Sequence, residues 1–216
     1  MNNKTLLIGA ILIAIAALIA WVASTQSEQP TQSNNPSFDG STLIERQGAP
    51  IKGAPDAKVT IVEFFDPACE TCAIFYPLVN DLIQKHPGKV NVMMRYTPFH
   101  QGSDQVVKLL AAAHLQGQFW PAVEILFVNQ QSWTRHHVAD PERAVALLGS
   151  LPLDHARFVH DVNSDNITNI IQQDVADGKT LKVRATPQFF VNGKPLVRFG
   201  HQQLVELVEE AIDDAY

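Results

Sequence analysis

Hydrophobic and polar positions divide the chain into three stretches. From Thr5 to Ser27 there is no charged residue, and Leu6 to Val22 is dominated by Leu, Ile, Ala and Val. Residues 24–40 are rich in Ser, Thr, Gln, Asn and Pro and cannot bury a core, so they read as a flexible tether. From residue 41 onward the pattern alternates between strand and helix periods, as one globular domain requires.

Within that domain, Lys58–Phe65 is a run of β-formers and reads as a buried strand. Ile61, Glu63 and Phe65 share one face and Val62 and Phe64 the other, and both faces carry the residues of a buried sheet. A helix is predicted over 69–86, with Pro77 inside it as a kink and His86-Pro87-Gly88 as its stop. Val90–Tyr96 is a second strand, and strand–helix–strand order implies a parallel pair with a right-handed crossover.

The β signal then stops for about 85 residues. Ser103 is placed to cap a helix running to Gly117. Further helices are predicted over 119–129, from the Asp140-Pro141 start to Leu148, over 155–162, and over 167–176 with Asp177-Gly178 as its end. Strand signal returns at Gln188–Val191, Asn192-Gly193 is a two-residue hairpin turn, and Leu196–Phe199 is expected to return antiparallel. An amphipathic helix over 202–215 closes the chain. The fold class is α/β: βαβ, an all-helical insertion at about 98–184, then ββα.

The N-terminal apolar run sits between a signal-peptide core of about 7–15 residues and a spanning helix of about 17–25. Trp21 and Val22 are poor −3 residues for cleavage, which favours an uncleaved anchor over residues 1–23. Lys4 on the short N-terminal side argues that the remainder of the chain is exported. A net charge of −6, with both signs interspersed and no basic stripe, gives no footing for nucleic acid.

The candidate chemistry lies in Cys69-Glu70-Thr71-Cys72, which holds both cysteines of the chain. The pair falls where a strand ends and a helix begins. Unpaired N–H groups and a partial positive charge at a helix start favour a thiolate and make the first cysteine a nucleophile. Two other readings stand beside this one. A zinc site needs four ligands, and the one cysteine pair supplies only two. A purely structural disulfide across so short a loop would constrain the unfolded chain very little. His100 reads as a surface loop histidine, and Phe119, Trp120 and Trp133 as insertion core.

These residues resemble the thioredoxin superfamily and, within it, the DsbA-like thiol–disulfide oxidoreductases, over about residues 50–215. The resemblance is carried by the Cys69–Cys72 pair, Glu63 six residues before it, Pro77 five residues after it, and Thr186-Pro187 directly before the third strand. The long helical insertion points to the DsbA-like branch. The resemblance implies a thioredoxin fold, an exchange reaction through Cys69 with Cys72 resolving, and proton transfer at Cys72 through Glu63. It also implies a cis Thr186–Pro187 bond presenting backbone to an extended client, and needs neither metal nor organic cofactor. Implied partners are client proteins with cysteines and a membrane redox partner, DsbB-like or DsbD-like, on the periplasmic side of an inner membrane. Glu70 and Thr71 occupy the redox-tuning positions. A carboxylate at Glu70 is expected to disfavour the Cys69 thiolate and so to make a weaker oxidant than a prototype DsbA. An oxidase, a reductase or isomerase, and a copper carrier or chaperone remain open.

Overall fold

The structure is a computed structural model and describes residues 44–216. The expected anchor (1–23) and linker (24–40) lie outside these residues. No helix among the described residues is long and apolar enough to cross a membrane.

Elements run in the order β1 (Ile51–Gly53), β2 (Val59–Phe65), α1 (Glu70–Lys85), β3 (Val90–Tyr96), α2 (Ser103–His114), α3 (Phe119–Val128) and α4 (Gln130–Trp133). They continue with β4 (Thr134–Arg135), β5 (Val138–Ala139), α5 (Pro141–Leu148), α6 (His155–Val162), α7 (Asp165–Thr180), β6 (Gln188–Val191), β7 (Lys194–Pro195) and α8 (His201–Ala215). The main sheet has the order β1-β3-β2-β6-β7. β2 and β3 pair in parallel from Val59 opposite Val90 to Phe65 opposite Tyr96, as the crossover through α1 requires. β6 lies antiparallel on the other side of β2, with Glu63 opposite Phe189.

The two faces of β2 meet different layers. Val59, Ile61 and Phe65 join the main core with α1, α8 and the insertion, whereas Val62 and Phe64 join a smaller core with Ile44, Met93, Val183 and Phe190. α1 buries Cys72, Phe75, Tyr76, Val79 and Leu82, an i, i+3, i+4, i+7, i+10 stripe. Burial of each such side chain contributes about 1.5–3 kcal/mol. Pro77 is exposed on the other side of this helix.

Several expectations are corrected. The insertion is not all-helical, because β4 and β5 form a two-stranded ribbon within it. An edge strand, β1, pairs antiparallel with β3. Ser103 does not cap α2; Gly102 holds the N-cap and the Ser103 hydroxyl donates to Asp66. The return strand of the hairpin is shorter and earlier than expected, at Lys194–Pro195, with one further bond from Leu196 N–H to the Phe189 carbonyl. α7 continues past Asp177-Gly178 to Thr180. There Asp177 is held against the buried Arg95, and Gly178 packs over the Phe64 ring, where even a Cβ would sit in ordinary contact at 3.4 Å.

Arg95 is fully buried and binds Asp174 at 2.7 Å and Asp177 at 2.5 Å. Asp174 also takes Arg46 at 2.5 Å and the Tyr96 N–H at 2.9 Å. This network ties α7 to β3 beneath the smaller core. Asp174→Ala takes a carboxylate from both arginines, Arg95 keeping Asp177, and should lower stability by about 3–5 kcal/mol, read by urea denaturation.

Candidate active site

β2 delivers the chain into a tight turn at Asp66-Pro67-Ala68, which ends at Cys69, the N-cap of α1. The Cys69 N–H donates to the Asp66 carbonyl at 3.0 Å and the Ala68 N–H to Asp66 Oδ1 at 2.8 Å. From the insertion, the buried Gln130 side chain donates to the carbonyls of Pro67 (2.9 Å) and Cys69 (3.1 Å). The turn is therefore held from below by its own carboxyl group and from the side by α4.

Both cysteines are free thiols. Cys69 exposes 7% of its surface and Cys72 none, so Cys69 is the accessible member of the pair. The Cys69 thiol donates to the Thr186 carbonyl at 3.1 Å, and the Thr186–Pro187 peptide is cis. The pKa of Cys69 is lowered from 9.0 to about 5. The chief cause is the hydrogen bond from the Cys72 thiol. Contacts with Thr186 and with the first-turn amides of Cys72 and Thr71 lower it further against the cost of burial. Cys72 is pushed the other way, mainly by burial, then by its bond to Cys69 and by the nearby Glu63 charge. The two sulfurs are thus set apart in acidity.

Glu63 is buried on the face of β2 that carries Ile61 and Phe65 toward the main core. Its Oε1 has no hydrogen-bond partner among the described residues. Burial, and secondarily the charge of Cys69, raises its pKa to about 8. Glu70 is exposed in the first turn of α1 and is not among the groups that act on Cys69. The expected rise in Cys69 pKa gives way to a fall, because close hydrogen bonds outweigh a solvated carboxylate.

Cys69, Cys72, Glu63, Thr186 and Pro187 come together, and Glu70 stands at the rim. His100 is not an idle surface side chain: its Nδ1 lies 2.7 Å from Asp66 Oδ2, and its ring stacks on His137. Phe119 and Trp133 are buried in the core, with Phe119 edge-on to Phe65, while Trp120 is half-buried and donates to the Ile51 carbonyl. Neither Asp66 nor Gln130 stands out as a site residue in the sequence. Asp66-Pro67 at the end of a strand is a turn signal, whereas nothing local to Gln130 marks it. Among the described residues no cluster of His, Cys, Asp and Glu fits a metal ion.

The family model described as thioredoxin matches residues 45–214. The chain belongs to the thioredoxin family. Its fold and helical insertion are of the DsbA-like kind. It is 26% identical over 195 residues to Disulfide bond formation protein D of Bacillus subtilis (strain 168), covering 84% of each. It is 31% identical over 146 residues to the Na(+)/H(+) antiporter NhaA of Herminiimonas arsenicoxydans, covering 68% of this chain. The match spans 22% of that antiporter's length. Among solved structures, a thioredoxin-like oxidoreductase from Silicibacter pomeroyi DSS-3 is 25% identical, with 80% of this chain and 96% of that one covered and a TM-score of 0.69.

The acidity of Glu63 has a testable consequence. An acid raised from 4.5 to about 8 on folding binds a proton in the native state that the unfolded chain releases. Stability is then lost as pH climbs between those values. Glu63→Gln removes this dependence, so the variant should gain on the wild type progressively across that window. The two should run parallel outside it, in denaturant titrations of the reduced proteins.

Proposed function

We propose that this protein is an exported thiol–disulfide oxidoreductase that exchanges disulfides with client protein cysteines through Cys69 and Cys72, in the direction of forming client disulfides. The observation that carries the reading is the opposed acidity of the two thiols, with Cys69 at about 5 and Cys72 raised. A stabilised thiolate favours the reduced pair, so passing the disulfide on to a client is downhill. The relation to the Bacillus protein named for disulfide bond formation supports the same reading.

The proposed exchange runs in two steps. A client thiolate attacks Cys69 sulfur of the oxidised pair; the Cys69–Cys72 bond breaks and Cys72 leaves as a thiolate. Glu63, neutral below about 8, gives that thiolate a proton, a downhill transfer because Cys72 is the weaker acid. A second client thiolate then attacks the client sulfur of the mixed disulfide and expels Cys69. At about 5, Cys69 departs without needing a proton. The client loses two electrons and the cysteine pair gains them. A membrane redox partner, DsbB-like, withdraws them again. The backbone at Thr186, beside Cys69, offers an extended client a main-chain pairing edge, with Pro187 closing the wall. Residues 5–23 hold this domain at the periplasmic face of the membrane.

Equilibration with a glutathione buffer tests the direction. A potential near about −120 mV supports an oxidase; one near about −270 mV overturns that direction and makes the protein a reductase. Exchange itself is tested by substitution. Cys69→Ser should abolish oxidation of a dithiol peptide, and Cys72→Ser, offered a disulfide-bonded peptide, should accumulate a mixed disulfide at Cys69 because the thiol that would resolve it is gone. Retained turnover in Cys69→Ser would refute exchange altogether.

A further inference from the structure

Asp66 is fully buried, yet it lies neither in the sheet core nor against another charge network. Five donors converge on its carboxyl group. Oδ1 accepts from Ala68 N–H (2.8 Å) and from the Ser103 hydroxyl. Oδ2 accepts from Phe99 N–H (2.7 Å), His100 N–H (2.8 Å) and His100 Nδ1 (2.7 Å). Five contacts on two oxygens more than fill the roughly four lone-pair sites of a carboxylate, so the group is fully engaged. Its own carbonyl takes the Cys69 N–H. One residue therefore fastens the turn that ends in Cys69 to the loop after β3, and the ring of His137 from the β4–β5 ribbon backs His100 from outside.

We propose that Asp66, with His100 as its outer donor, is a positioning residue of the redox site: it holds the 66–69 turn so that Cys69 sulfur stays at the N-terminus of α1 and within reach of the Thr186 carbonyl. This rests on the reading of Cys69 as the exchanging thiol. The geometry leaves little slack. Cys69 is the N-cap, its sulfur reaches Thr186 at 3.1 Å, and the segment between the sheet and Cys69 is three residues long. Releasing the carboxyl end of that segment lets the sulfur leave the first-turn amides, and a thiolate away from them is less stable.

The sign of the effect separates positioning from plain electrostatics. As a bare negative charge near Cys69, Asp66 disfavours its thiolate, so deleting the charge alone makes Cys69 more acidic. Losing the position makes it less acidic. Charged and titratable groups facing this locus are Asp66, His100 and His137 on the loop side, Glu63 on the sheet side, and Cys72 and Glu70 on α1.

The experiment is the pH profile of Cys69 alkylation by iodoacetamide on the reduced full-length protein. The wild type is expected at a midpoint of about 5. Asp66→Asn should move the midpoint upward by about one pH unit, a tenfold loss of thiolate on the acid side. His100→Ala should move it the same way by less, and His100→Asn, which returns an N–H donor near the Nδ1 position, should bring it back. A downward or absent shift in folded Asp66→Asn overturns the proposal. Should that variant fail to fold, a wild-type midpoint in His100→Ala overturns it instead. A wild-type protein with its midpoint in the ordinary thiol range defeats the proposed function, and the positioning role falls with it. A wild-type midpoint at about 5 beside a downward shift in Asp66→Asn leaves the function standing and removes only the role of Asp66.

Discussion

Cys69 sulfur occupies the place where α1 presents its unpaired first-turn amides. Helices commonly put a hydroxyl or carboxylate there, as α5, α6 and α7 do with Asp140, Asp154 and Ser164. In α1 the N-cap is the cysteine itself. A thiolate in that position receives the amides of Thr71 and Cys72 together with the Cys72 thiol, and the balance outweighs the cost of partial burial. The reaction chemistry of the site depends on keeping this sulfur in place. The sheet fixes the start of the turn, α4 reaches it through Gln130, and the β3 loop through Asp66.

The remaining titratable groups near the thiols are arranged around that anion. Cys72 sits deeper, under Cys69, and burial keeps its proton on. Glu63 faces the same core from β2 and stays neutral up to about 8, while Cys69 is ionised from about 5 upward. One anion in this pocket is tolerable, and a second nearby costs too much. That logic supports the proposed role of Glu63 as a proton carrier for Cys72. The larger ionic network of Arg46, Arg95, Asp174 and Asp177 is segregated on the smaller core, where it braces α7 against β3.

Much of this was legible from residue patterns. The strands at 59–65 and 90–96, the helix after Cys69, the burial of Glu63 and the hairpin at Asn192-Gly193 follow from periodicity and turn chemistry that act locally. The misses are tertiary. Asp177-Gly178 has the composition of a helix stop, but Arg95, distant in sequence, holds Asp177 and makes continuation favourable. Ser103 is a good cap in isolation, yet Asp66 competes for its hydroxyl. Glu70 is adjacent to Cys69 in sequence but exposed in space, whereas Gln130 and Thr186, far away in sequence, touch the cysteine turn. Adjacency along the chain overstated one charge and hid Gln130, while Thr186 was reached only through the family resemblance.

The central claim is that one thiol of the reduced pair is an anion at neutral pH while the other keeps its proton. Ultraviolet thiolate absorbance, titrated on the reduced protein with Cys72→Ser as the reference for the single thiol, reads this directly. The account predicts one thiolate forming with a midpoint at about 5 and no second thiolate until well into the alkaline range. Two thiolates appearing together in the ordinary thiol range would contradict it.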